Sequence, residues 1–221
     1  MLRCIPFFLA MVSAVAANPP TTSDRAAAVE RLSKDALVNR LLEQSAADIQ
    51  SRHYQAALDK TTQAEKLRPN DPVILNTKGA ALVELRRFDE AAKILDAAVA
   101  ADPKAFAPQF NQGEMLSLQK KYADAALQFA LLQSRFGPMP RIKYNLYLTN
   151  ALAGRKDDAI AALLLMRYPE DGIAWYYAQA ADCLLSGKRT EANKLLTAAA
   201  AIHKDEDNTY RDTLVAAGLL K

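Results

Sequence analysis

The sequence predicts an all-α chain built of stacked helix pairs, and three observations carry that prediction. One chemical pattern returns at a fixed distance: Ala57, Ala91, Ala125 and Ala159 stand 34 residues apart, and Ala192 follows after 33. Within each period the apolar residues fall into two runs at helical spacing, with a short turn between them. The composition agrees, since 51% of the chain is hydrophobic and much of that is alanine, which lets helix backbones approach closely.

Residues 1–17 stand apart from this pattern. Met1-Leu2-Arg3 is a short basic start, Ile5 to Val15 is mostly apolar, and Ala14-Val15-Ala16 is a small-x-small cleavage site. The stretch reads as a secretory signal peptide cut near Ala16 or Ala17, so the mature chain is expected in a periplasm or outside the cell. A membrane span needs roughly 20 apolar residues, which makes an uncleaved anchor the weaker reading and leaves no span after cleavage. Cys4 lies at the front of the apolar run, where a lipoprotein signal would need its cysteine at the end. With the signal removed, Cys183 is the one remaining cysteine, so no internal disulfide is available and stability must come from packing. The net charge is +3, both signs are interspersed, and loss of Arg3 lowers it further. Charge therefore gives no ground for a nucleic-acid partner.

Asn18 to Asp24 holds Pro19-Pro20 and a Thr/Ser cluster, read as a flexible lead (18–24) with a helix start near Thr22 or Ser23. From Arg25 to Leu37 the residues Ala28, Val29, Leu32, Ala36 and Leu37 fall at helical spacing. They form an added N-terminal helix (25–37) that either runs on into the first repeat or caps it. The first repeat, 38–71, carries Leu41, Tyr54, Ala57, Ala64 and Pro69. The second, 72–105, carries Leu75, Lys78-Gly79, Leu82, Phe88, Ala91, Leu95, Ala98 and Pro103. The third, 106–139, keeps Gly113, Leu116, Tyr122, Ala125 and Phe129, with Gly137-Pro138 in place of the closing proline. The fourth, 140–172, keeps Gly154, Ala159 and Leu163 but has Lys156 where Tyr54, Phe88 and Tyr122 stood. The fifth, 173–205, keeps Tyr176, Ala180, Gly187, Ala192 and Leu196, and 206–221 is read as a C-terminal capping helix with Leu214, Val215, Leu219 and Leu220 on its apolar side.

Local chemistry supports these units. Gly79, Gly113, Ala91 and Ala125 sit where two helix backbones must approach, and the aromatic opening each second helix wedges between the pair. Asp89-Glu90, Asp124, Asp157-Asp158 and Glu191 lie in the first turns of second helices, opposite the positive end of the helix dipole. Asp71-Pro72 and Asp102-Pro103 each join a capping acid to a proline suited to a first turn.

Over residues 38–205 this pattern resembles tetratricopeptide repeats, most closely in the second and third units; the fourth and fifth depart at the aromatic slot. The resemblance implies a right-handed superhelical solenoid of about five helix pairs, with the first helix of each pair lining a concave face. It implies binding and not catalysis, with no cofactor. The residues agree: His53 and His203 have no second ligand at metal spacing, Cys183 lies among Ala180, Ala181 and Leu184 as a structural thiol, and Ser186 to Thr190 fails as a phosphate loop.

If the family geometry holds, one stripe of the first helices contains Leu42, Asn76, Phe110, Tyr144 and Tyr177, with Asn111, Glu114, Arg141, Asn145 and Leu148 beside it. An aromatic ladder flanked by amides suits an extended or helical peptide. The same rings could instead pack against the next repeat, and both readings stand at this point. A carboxylate clamp of the kind some family members use is not expected, because only Asn111 and Arg141 match it and Asn76, Ala80 and Asn145 occupy the other positions. The sequence thus points to an exported, non-enzymatic scaffold or adaptor holding a partner protein or peptide in its groove, within a bacterial cell-envelope assembly. The alternatives are a self-associating structural component or an accessory domain of an envelope enzyme complex.

Overall fold

A computed structural model describes residues 21–202 and 207–221. The expected signal peptide, most of the lead and His203 lie outside the described residues. The period seen in the sequence is first a period of turns. Arg52, Arg86, Lys120, Gly154 and Gly187 all take the left-handed backbone, with φ of 61°, 60°, 59°, 75° and 76°. Each sits between two helices, so the chain reverses at the same slot in every unit.

The helices are α1 (Thr22–Gln50), α2 (Tyr54–Leu67), α3 (Pro72–Glu84), α4 (Phe88–Ala101), α5 (Phe106–Leu118), α6 (Tyr122–Phe136), α7 (Pro140–Leu152), α8 (Lys156–Leu164), α9 (Gly172–Leu185), α10 (Arg189–Ile202) and α11 (Asp207–Ala216). Sequential partners pack as antiparallel pairs, and α2, α4 and α6 each pack on the first helix of the next pair. The result is an all-α superhelix of stacked pairs. Its core is a run of clusters along the stack, and Ala57, Ala91, Ala125 and Ala192 are completely buried. The expected close approaches are present. A Cβ on Gly79 would lie 2.5 Å from Leu95 Cδ2, and one on Gly113 would lie 2.8 Å from the Phe129 ring.

Helix punctuation follows the sequence in one place and departs from it in another. Asp71 accepts hydrogen bonds from the Val73 and Ile74 amides at 2.9 and 3.2 Å, with Pro72 in the first turn of α3. Asp102-Pro103, expected to start a helix in the same way, does not. Asp102 ends α4 and accepts from Lys104 N in a turn, and α5 begins only at Phe106 behind Ala105. Both loops are four residues long, but Asp71 is the last residue of its loop and Asp102 the first of its own, three positions too early to reach the first amides of α5.

The ends of the stack differ from each other. At the N-terminus, the stretch from Arg25 to Leu37 continues unbroken into the first repeat as part of one 29-residue helix. Val29 and Leu32 are 67% and 63% exposed on it, so its apolar side does not lie in the groove. Near the other end, α8 is only nine residues long and barely touches α9, which packs on α7 instead. The loop between them is fixed by Asp171, which accepts from Lys143 Nζ and from the Arg167 amide, each at 2.7 Å.

The last helix does not extend the stack. Its main packing partner is α9, and its apolar side joins Tyr144, Tyr147 and Tyr177 in one core cluster through the completely buried Leu214. Where the sequence reading placed a cap over the final pair, α11 turns back across the first helices.

Candidate functional site

The inner face of the superhelix encloses a cavity of about 400 Å³. Its walls come from equivalent slots of successive repeats. The last turns of α1, α3, α5 and α7 contribute Gln50, Glu84, Leu118 and Leu152, each 34 residues from the next. One turn earlier stand Ala80, Glu114 and Leu148, again in register, and Asn111 and Asn145 form a further row. A helical register repeated across parallel first helices thus becomes a set of parallel rows facing one space.

Asn111, Glu114, Arg141 and Asn145 of the expected groove residues line this cavity. They are tied to one another. Arg141 donates to Glu114 Oε1 at 2.7 Å and lies with its guanidinium 4.6 Å from the centre of the Phe110 ring. Asn145 donates to the Arg141 carbonyl at 3.0 Å, and Asn111 donates to Asn76 Oδ1 at 2.8 Å. The polar members are therefore held in place before any partner arrives.

The aromatic members occupy a different layer. Phe110 is 3% exposed, and Tyr144 and Tyr177 are completely buried. Phe110 packs edge-on against Phe129 and beside Phe106, with ring centres 5.5 and 5.2 Å apart. Tyr144 and Tyr177 both lie against Tyr210 of α11, at 5.0 and 5.6 Å. The rings form no open ladder, and of the two readings left by the sequence they follow the packing one. For Phe110 the cover is its own repeat together with Arg141 and the Ile142 cluster of the next, whereas the two tyrosines lie under α11.

Helix α11 also supplies polar contacts. The Thr213 hydroxyl donates its proton to the Tyr210 carbonyl at 2.7 Å, so in the 2.5 Å contact between Tyr144 and Thr213 the tyrosine is the donor. Burial raises the Tyr144 pKa well above the ordinary phenol value, which keeps that donor protonated. Across the cavity, Arg52 binds both carboxylate oxygens of Asp212 at 2.9 Å, joining the first turn of the stack to its last helix. Glu84 completes the electrostatics: loss of solvent first and the Glu114 charge second push its carboxyl upward.

Sequence reasoning missed Arg52, Tyr54, Glu84 and Arg86 as cavity residues, although the repeat slots of Gln50, Glu84, Leu118 and Leu152 could have found the row at the helix ends. It also missed α11. The signal there is the spacing of Tyr210, Thr213, Leu214 and Ala217, which places an aromatic, a hydroxyl and apolar carbon on one helical stripe.

Among the described residues no three His, Cys, Asp or Glu side chains are placed to hold a metal ion. Cys183 is half-buried, and burial raises its thiol pKa, the reverse of what an activated nucleophile needs. Among the described residues no helix is long and apolar enough to cross a membrane.

With this geometry in view, comparison with known proteins is informative. Residues 48–110 match the Tetratricopeptide repeat family. A thermophilic TPR protein from Thermus thermophilus superposes with a TM-score of 0.67 at 21% identity, covering 83% of this chain and all of that one. MamA from Desulfovibrio magneticus superposes with a TM-score of 0.55 at 17% identity, covering 77% of this chain and 97% of that one. No curated protein matches the chain. Likeness at this identity speaks to the fold alone. Residues 48–110 thus match tetratricopeptide repeats, and the repeat register and the shared superhelix carry that TPR-like fold across most of the chain.

Proposed function

We propose that the chain is an exported adaptor that holds a segment of a partner protein in its concave groove as part of a bacterial cell-envelope assembly. The observation that carries the groove reading is the row of pre-positioned polar groups, Asn111, Glu114, Arg141 and Asn145, facing a cavity of about 400 Å³. Amides and an ion pair already held in place lose little freedom on binding and can meet a peptide backbone or a charged side chain. Export and envelope location are supported by residues 1–17, with their basic start, apolar run and Ala14-Val15-Ala16 site.

Crosslinked co-purification from the native envelope fraction tests the binding reading, using the parent beside an Asn111→Ala, Arg141→Ala variant of normal helicity. A partner retained by the parent and lost by the variant supports the groove, whereas equal capture by both would place binding elsewhere. N-terminal sequencing of the same material tests export. The expected start is Ala17 or Asn18, and an envelope-free chain that retains Met1 would overturn it.

A further inference from the structure

The cavity already has a helix against it. At ten residues, α11 is shorter than the roughly 12–15 at which an isolated helix becomes marginal in water, so its helical form depends on its seat. The seat is made by the stripe Tyr210, Thr213 and Leu214, which lies on Tyr144 and Tyr177, and by Asp212, which reaches Arg52 at the other end of the repeats. That last contact joins residues 160 positions apart, and both side chains are about half exposed. Buried apolar contact at one end and a solvated ion pair at the other make a docked helix whose hold is uneven.

Resting on the groove reading above, we propose that α11 is a built-in occupant of the groove, and that the partner segment is a short amphipathic helix that displaces it. The partner helix carries the features α11 presents: an aromatic ring over Tyr144 and Tyr177, and a carboxylate two positions on that meets Arg52. The polar row of Asn111 and Arg141 lies beside that seat, open to side chains that α11 does not supply. Occupancy by α11 lowers the apparent affinity for any competitor by the fraction of time the seat is open, and a change that loosens α11 raises it.

The test uses the full chain and one probe, a fluorescein-labelled synthetic peptide of residues 207–221, followed by anisotropy. The parent binds the peptide weakly. Tyr210→Ala in the chain removes the ring that holds α11, and the affinity for the peptide rises by about tenfold. Hydrogen exchange of the α11 amides then accelerates while that of α9 does not. Arg52→Glu in the chain loosens α11 too, yet binds the natural peptide poorly and recovers binding when the peptide carries Asp212→Arg. Unchanged peptide affinity in Tyr210→Ala overturns the proposal, whether or not the α11 amides exchange faster, because the seat is then not one that a second helix can take. Lack of rescue by the charge-exchanged peptide overturns the pairing with Arg52. These outcomes are separate from the fate of the groove reading, which falls only if the Asn111→Ala, Arg141→Ala chain keeps its cellular partner.

Discussion

The second and third helix pairs and the fourth hold opposite sizes at the same slots. In the second pair Gly79 faces Leu95, and in the third Gly113 faces Phe129, so a bare backbone receives a large side chain from the opposite helix. In the fourth pair the glycine slot holds Tyr147 and the facing slot Leu163, and the bulk has moved to the first helix. The aromatic that opens α4 and α6 is replaced by Lys156, α8 stops after nine residues, and α9 packs on α7 in its place. The turn slot changes as well, from Arg86 and Lys120 in the left-handed region to Gly154. What survives in all of them is the backbone register and the buried alanine of the second helix. A repeat of this kind is a spacing with one close contact, and the remaining volume can be divided between the helices in more than one way.

The largest expected effect comes from the fixture that substitutes for the missing α8–α9 packing. Asp171 is 2% exposed at its side chain and Lys143 is 12% exposed, so their ion pair is buried. Lys143→Met leaves the carboxylate without its partner and should cost about 3 kcal/mol, read as a lowered urea midpoint by circular dichroism. The regular region offers the control. Arg87 and Glu90 form a pair in the open, and Arg87→Met there should leave the midpoint unmoved. Equal responses in the two variants would show that the fourth pair does not rely on its loop.

Next in size is the division of volume itself. Gly113→Ala drives a methyl group to within 2.8 Å of the Phe129 ring and should cost about 2 kcal/mol. Phe129→Leu, made in the same chain, imports the smaller side chain found in the fourth pair. The double variant should lose less than the sum of the two single losses, by about 1 kcal/mol in a double-mutant cycle. Strict additivity would mean that the two slots do not share one space.

A smaller effect lies in the turns. Gly154→Ala places a side chain at a φ of 75° and should cost about 1 kcal/mol of stability. Lys120→Gly removes similar strain at a φ of 59° but frees the unfolded chain, and the two changes nearly cancel. A large loss from Lys120→Gly would point instead to packing by the lysine stem.

These contrasts also explain what was legible in the sequence. Spacing is a property of the backbone, so the alanine register, the glycine contacts and the Asp71 cap could all be read before the fold was seen. Side-chain exposure on the concave face depends on what lies over it, and there the sequence placed Phe110, Tyr144 and Tyr177 in one stripe but left open whether the rings are free or packed. Tyr144 and Tyr177 are buried by Tyr210, a residue outside the repeats, and no repeat slot announces where a terminal helix will fold back. Arg52 and Asp212 show the same limit, since a pair separated by 160 positions leaves no periodic trace. The polar residues beside the rings were legible because they follow the register themselves.

The smallest effect concerns the one charged member of the row that closes each first helix. Gln50, Leu118 and Leu152 are uncharged at that slot, and Glu84 alone among the four titrates. Its carboxyl is pushed above its ordinary value of 4.5, by loss of solvent and then by the charge of Glu114. In the pH window that runs upward from 4.5 to the raised value, the folded protein holds a proton that the unfolded chain has released. Folding is therefore favoured by this group at low pH, and its contribution declines as the pH rises through that window. The residue as a whole stays exposed at the cavity rim, which keeps the effect small. Glu84→Gln retains an acceptor for Tyr54 and abolishes the titration. The variant's urea midpoint should match the parent's at pH 4 and exceed it slightly at pH 7, since every other carboxylate cancels in the difference. Parallel curves across that range would mean that Glu84 is as well solvated in the fold as in the open chain, and that the polar end of the row is as tolerant of charge as the convex surface.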